Sequence, residues 1–158
     1  MKVLILLMLM PLTVWAFPNV GDFVQYEAKY EDDVVIQRKK IISYDEVRDS
    51  FQIGYIVSFK GRILEQVVYD TSRSFIYSKD KVLDVLKNCQ IREGALSDYD
   101  IQGKIVKACE FYDEPSQLSY MIGMVPFGSI RFQTYLGNEE FLDFYITKFE
   151  MGPEHNVE

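Results

Sequence analysis

Few side chains in this sequence could do chemistry. His155 is the only histidine among the 158 residues, and Cys89 and Cys109 are the only cysteines. Nucleophilic catalysis needs a nucleophile, a base and an orienting group within hydrogen-bond reach. A lone histidine in the polar run "GPEHNVE" is poorly placed to serve as that base. Two cysteines outside any C-x-x-C spacing favour a disulfide in an oxidising compartment, with a redox pair or a metal site as the alternative. Closing that loop contributes ~3 kcal/mol on chain-entropy grounds. The run "SKDK" at 78–81 fits the S-x-x-K start of serine–lysine enzymes but lacks their S-D-N and K-T-G partners, so a polar helix N-terminus accounts for it better. Glu31, Asp32 and Asp33 could approach a calcium ion, yet a loop site needs ligands spaced around the ion and a glycine to turn, which favours a solvated turn here. Asp98 and Asp100 could act on glycosides only at a separation that the sequence does not fix. These residues point away from an enzyme, with no catalytic group, and to no cofactor or metal.

The elements that would position them begin after a leader. "MKVLILLMLMPLTVWA" has a basic start, an apolar run, a proline and a small-x-small ending, the pattern of a secretory signal peptide over residues 1–16. The apolar run is shorter than the ~20 residues of a membrane span. The expectation is one β-rich domain over 17–151 and a disordered tail over 152–158, exported to the periplasm or outside the cell, soluble and without a transmembrane segment once the leader is removed. A net charge of −7, more negative still without Lys2, repels phosphate backbones and argues against a nucleic-acid partner.

Residues 23–30 alternate with Val24, Tyr26, Ala28 and Tyr30 on one face, and the acidic turn at 31–33 returns the chain as a hairpin. Phe51, Ile53, Tyr55, Val57 and Phe59 share one face of the clearest strand, and "KGR" at 60–62 turns it back antiparallel. Val82, Leu83, Val85 and Leu86 recur at helical spacing, which predicts one short helix leading to Cys89. The stretch 92–104 reads as a loop, and a strand carrying Cys109 follows. The final third reads as strands interrupted by Pro126-Phe127-Gly128 and by a Gly137-Asn138 turn. In the last strand Phe141, Tyr145 and Phe149 fall on one side and Leu142, Phe144 and Ile146 on the other. The fold class that follows is mainly β (α+β): a strongly curved antiparallel sheet or half-barrel with one or a few short helices.

The segments "NCQIREG", "IQGKIVKACEF", "YMIGMVPFGSIRF" and "FLDFYI" resemble a group of uncharacterised exported bacterial proteins with a C…xGxxxxC…VPFG pattern. Those are similar to the lipoprotein-carrier fold, an open half-barrel with helices over its concave side. The likeness covers roughly residues 88–149. It departs at Tyr120, near which the group has a tryptophan, and at Gln102-Gly103, where a proline-alanine-glycine turn is usual. The resemblance implies an architecture and the handling of apolar ligands, and it assigns no catalytic residue.

Pro126 cannot donate to a sheet ladder and Gly128 can take a positive φ, so this insert marks a corner between strands; a ligand gate with Phe127 as its wedge is the alternative. If the face bearing Phe51, Ile53, Tyr55, Val57 and Phe59 is concave, these side chains and Phe127 form an apolar wall for a lipid or another apolar ligand. Alternatively, the same face packs against the helix at 82–86, and the surplus apolar surface meets an envelope protein partner. Protein purified from the envelope fraction should have an intact mass lacking residues 1–16, and a mass that retains Lys2 would contradict the leader.

Overall fold

The computed structural model describes residues 18–136 and 140–153. The expected signal segment (residues 1–16), Phe17, the expected Gly137-Asn138 turn and His155 lie outside the described residues. The chain runs β1 (Phe23–Tyr30), β2 (Asp33–Asp45), β3 (Ser50–Phe59), β4 (Arg62–Ser72), a 3-10 turn (Arg73–Phe75), α1 (Lys79–Lys87), β5 (Ala95–Ile101), β6 (Lys104–Asp113), β7 (Leu118–Gly123), β8 (Ser129–Leu136) and β9 (Glu140–Glu150). All nine strands form one antiparallel sheet in the order β4-β3-β2-β1-β9-β8-β7-β6-β5. Its outer strands β4 and β5 do not pair with each other, so the sheet curves without closing into a barrel. The architecture is the mainly β, curved sheet with one short helix that the strand pattern implies. No helix among the described residues is long and apolar enough to cross a membrane.

Tight turns build two meanders. Lys60 and Gly61 take φ values of 52° and 72°, and Gln102 and Gly103 take 54° and 80°. Two consecutive positive-φ residues match the twist of the flanking strands, which is why such turns join hairpins. The second turn joins β5 to β6, so part of the stretch that reads as a loop is an edge strand. Most of β5 faces solvent and only Ile101 is buried. An edge strand with polar residues on its wet face leaves no apolar alternation to read.

The two meanders meet where β1 pairs with β9. Val24, Tyr26 and Ala28 of β1 and Leu142, Phe144, Ile146 and Phe149 of β9 are all buried in the main core. Simple alternation puts Phe149 on the face opposite Leu142. The register shift between Gln25 and Tyr26 pairs Tyr26 with Ile146 and Val24 with Phe149, so Thr147 is the extra residue and Phe149 turns inward. Phe141 and Tyr145 stay on the outer face, largely exposed. Beyond the strand ends, fully buried Asp22 accepts backbone N–H groups from Asn19 and Gly152, both at 2.8 Å. Gly152 fits because a Cβ there would lie 2.1 Å from the carbonyl oxygen of Val20. The first residue of the expected tail is thereby tied to the start of β1.

The connection from β4 to β5 must cross from one edge of the sheet to the other. It leaves the 3-10 turn, buries Ile76 against Ile41, Phe51 and Ile53, and then enters α1. Ser78 caps that helix by accepting the backbone N–H of Lys81 at 3.3 Å, while the Lys81 ammonium donates to the carbonyl of Ser74 at 2.6 Å. The S-x-x-K spacing is a helix cap. Val82 and Val85 pack on Cys89, Cys109 and Ile122, so α1 covers β6 and β7 and not β3. Cys89 and Cys109 form the disulfide, with a Cα–Cα distance of 5.8 Å. Gly94 closes over it, since a Cβ there would stand 2.5 Å from Sγ of Cys109.

Pro126-Phe127-Gly128 is the corner between β7 and β8. Phe127 and Gly128 take φ values of 64° and 72°, and the Gly128 N–H donates to the carbonyl of Val125 at 2.9 Å. Pro126 is fully buried, and Gly128 leaves room for Tyr77, whose Cβ would lie 2.6 Å from a Cβ at that position. The insert is construction: it seats the crossover against the sheet. Replacing Asp22 with alanine leaves two backbone donors without their carboxylate, and urea denaturation should show a loss of about 1–3 kcal/mol.

Candidate functional site

Directly paired residues of antiparallel strands present their side chains on the same face. Phe59, Val35 and Ala28 therefore form one row, Val57, Gln37 and Tyr26 the next, and Tyr55, Lys39 and Val24 a third. The face carrying these rows is concave. It holds a cavity of about 550 Å³ whose two arms come from strands far apart in the sheet order. One arm is Tyr55, Val57 and Phe59 of β3 with Leu64 of β4; the other is Phe132 of β8 with Leu142 and Phe144 of β9. Tyr30, Val35 and Gln37 lie between them. The volume falls within the range of about 300–1,000 Å³ typical of small-molecule sites, and the lining is predominantly apolar, as in such sites.

The six residues expected to form an apolar wall divide by position. Tyr55, Val57 and Phe59 line the cavity and are half-buried. Phe51 and Ile53 do not reach it: they are buried under Ile76, in a plug with Ile41. Phe127 packs against that plug and against the main core, away from the cavity lining. The strip is divided because the crossover from β4 passes over one end of the concave face and leaves the other end open. Alternation shows that five residues share a face but not where a later segment will lie across it.

The wall contributed by Phe132, Leu142 and Phe144 is not marked in the local sequence, because its relation to β3 depends on the β1–β9 pairing. Phe132 and Phe144 stack with ring centroids 5.0 Å apart, and Tyr26 meets Phe132 edge-on at 5.1 Å. The Tyr26 hydroxyl donates to the carbonyl of Ser129 at 2.9 Å, and burial holds its proton on well above the ordinary tyrosine range. Lys39 was not singled out by pattern either. Its Nζ stands 5.9 Å from the ring centroid of Tyr26, 6.0 Å from that of Tyr55 and 5.9 Å from that of Phe132. Burial lowers its affinity for its proton.

The strongest charge cluster lies on the other face of β8 and β9. Arg131 donates to both carboxylate oxygens of Asp143, through Nε at 2.9 Å and Nη2 at 2.7 Å, and through Nη1 to Glu110 at 2.8 Å. Tyr145 and Gln133 also donate to Asp143, at 2.8 and 3.2 Å. Burial opposes ionisation of Asp143, but the hydrogen bonds from Arg131, Tyr145 and Gln133 outweigh it and hold the carboxyl below its usual value. A carboxylate committed to three donors is a strut and not a general base. Asp100 is likewise committed, accepting the Gly103 N–H at 2.7 Å in the β5–β6 turn, and Asp33 pairs with Lys60 at 2.9 Å.

Comparison of the chain with known protein families, with curated proteins and with solved structures gives no match. The Arg131 cluster generates a pH prediction. Because the folded state depresses the Asp143 pKa, the stabilisation is present above the unfolded value of about 4 and is lost as pH falls through the folded value. Arg131→Met should cost about 1–3 kcal/mol at pH 7, and urea denaturation should show that difference shrinking as the pH is lowered towards 2.

Proposed function

We propose that this protein is an exported, non-enzymatic binding protein that carries an apolar chain, such as an acyl chain, in the concave face of its curved sheet. The observation that carries this reading is the 550 Å³ cavity itself. Its walls are aliphatic and aromatic side chains from both arms of the sheet; Leu142 and Phe144 are themselves buried, while Tyr55, Val57, Phe59 and Leu64, beyond the reach of the crossover, keep apolar surface open. Apolar surface left open in this way is unfavourable in water, by about 25 cal/mol per Å², and a bound chain would remove it from solvent. The half-barrel likeness seen in the sequence and the disulfide agree with an exported carrier. Native mass spectrometry after mild extraction should show lipid-sized adducts. Val57→Trp, which fills the cavity from the β3 arm, should weaken Nile red binding at least tenfold, about 1.4 kcal/mol, while the circular dichroism spectrum stays that of the wild type. Wild-type protein that carries no adduct and does not bind the dye would overturn the reading.

A second reading is supported by one specific observation. Edge strand β4 exposes Ile63, Leu64 and Val68 at 60, 65 and 57 per cent, an apolar edge of the kind that protein partners cover. An envelope protein added along β4 would make this an interaction module. In that case Val68→Lys should abolish partner capture by cross-linking in envelope extracts and leave Nile red binding unchanged.

A further inference from the structure

On the same face as the cavity, beside its lining but not part of it, stands a charged side chain, Lys39. Lys39 sits on β2 opposite Val24 on one side and Tyr55 on the other, one row inside the plug formed by Ile41, Phe51, Ile53 and Ile76. Its ammonium stands among the rings of Tyr26, Tyr55 and Phe132 at 5.9–6.0 Å, and Tyr55 and Phe132 are also walls of the cavity. No ion pair or hydrogen bond to its Nζ is found among the described residues, and burial alone accounts for its weakened hold on the proton, with no neighbouring carboxylate offsetting it. Rings near the 6 Å limit offer an ammonium partial compensation only. Lys39 is half-buried, so its ammonium is partly withdrawn from water without an anion beside it, and an anion supplied there offsets that cost.

The surroundings give this site a direction. Inward of Lys39 the plug is apolar and closed. Outward, in the direction of Val57 and Phe59, lies the cavity, with Leu64 on one arm and Leu142 and Phe144 on the other. Gln37, buried two residues along the same face of β2, adds an amide to the lining next to Lys39. The one carboxylate of the lining, Glu65, pairs with Val57 in the next row and, second to burial, raises the Tyr55 hydroxyl's hold on its proton, so the Lys39 ammonium is the positive charge set against it in the adjoining row.

We infer that Lys39 is the head-group anchor of the cavity, and that the ligand is an amphiphile with an acidic head, such as a long-chain carboxylate, bound with its anion against Lys39 and its chain lying outward between Phe59 and Phe144. The inference rests on the apolar-chain reading and specifies its chemistry. A neutral apolar chain would leave the ammonium as it stands, whereas an anionic head would pair with it out of water, where charge-assisted hydrogen bonds are about twice as strong as neutral ones.

The test compares dodecanoate with 1-dodecanol, which share a chain and differ at the head, as competitors of Nile red, a neutral dye whose own binding does not report on Lys39. Wild-type protein should bind dodecanoate at least tenfold more tightly than dodecanol. Lys39→Met keeps the stem and removes the charge, and should bind the two equally; Lys39→Arg should restore the preference. Equal affinity of the two competitors for the wild type would overturn the anchor while leaving the apolar-chain reading intact, and that comparison needs no variant to fold. A preference for dodecanoate that persists in Lys39→Met would also overturn it. Failure of wild-type protein to bind Nile red or either competitor would reject the apolar-chain reading and the anchor with it.

Discussion

The ladder between β1 and β9 is the contact on which everything else depends. Each meander by itself is a short sheet whose apolar face is only partly covered, by Ile76 on one and α1 on the other. Joined along β1 and β9, they place Val24, Tyr26 and Ala28 beside Phe144, Ile146 and Phe149, and the buried cluster spans the join. The bulge at Thr147 is part of the same constraint, because it brings Phe149 into the buried row. Asp22 secures the end of the ladder by holding Gly152 where no side chain would fit. Such a contact between the two ends of the chain closes a long loop in sequence, and it forms at the expense of chain entropy that local hairpins do not face.

A second consequence of that ladder is that the free edges β4 and β5 lie at opposite ends of the sheet order, so the chain between them must cross it. The crossover uses Ile76 to cover one end of the concave face and α1, tied by the disulfide, to cover β6 and β7. Between these two covers Val24, Tyr26 and Ala28 are buried in the main core, and the cavity is the part left open between β3 and the β8–β9 arm. Core and pocket are thus made from neighbouring rows of one face, distinguished by how closely the crossover and the two arms of the sheet approach them. The Pro126-Phe127-Gly128 corner belongs to this arrangement, since Gly128 gives Tyr77 its seat and Phe127 braces the plug.

The two faces of the sheet treat charge in opposite ways. On the outer face Arg131 is satisfied by two carboxylates, and Asp143 by three donors, so that the cluster is self-contained and structural. On the concave face Lys39 has aromatic rings for neighbours and no carboxylate in contact among the described residues. Paired and unpaired charge of this kind is the clearest separation between groups that hold the fold and a group positioned to meet something else.

The sequence by itself determined the local pieces. Alternation in 23–30 and 51–59, the positive-φ glycine turn at Lys60-Gly61, the spacing of Val82 and Val85, and the two cysteines each report an interaction between residues close in the chain or a chemistry with few alternatives, and each is found in the structure. The mainly β curved sheet followed from them. Strand β5 is not legible because an edge strand facing water carries no apolar alternation, and alternation alone puts Phe149 on the wrong face because a bulge changes parity without a sequence mark. Of the expected apolar wall, Tyr55, Val57 and Phe59 were legible as a shared face, whereas the burial of Phe51 and Ile53 under Ile76 was not. Only the tertiary structure decided which part of a face became cavity, which strands faced it, and that Lys39 stands among three rings drawn from β1, β3 and β8. The physical reason is that these relations join residues as distant as Tyr26 and Phe132, brought together by the β1–β9 ladder and the crossover, and pairing between distant strands is set by how much apolar surface the whole arrangement buries and not by any local pattern.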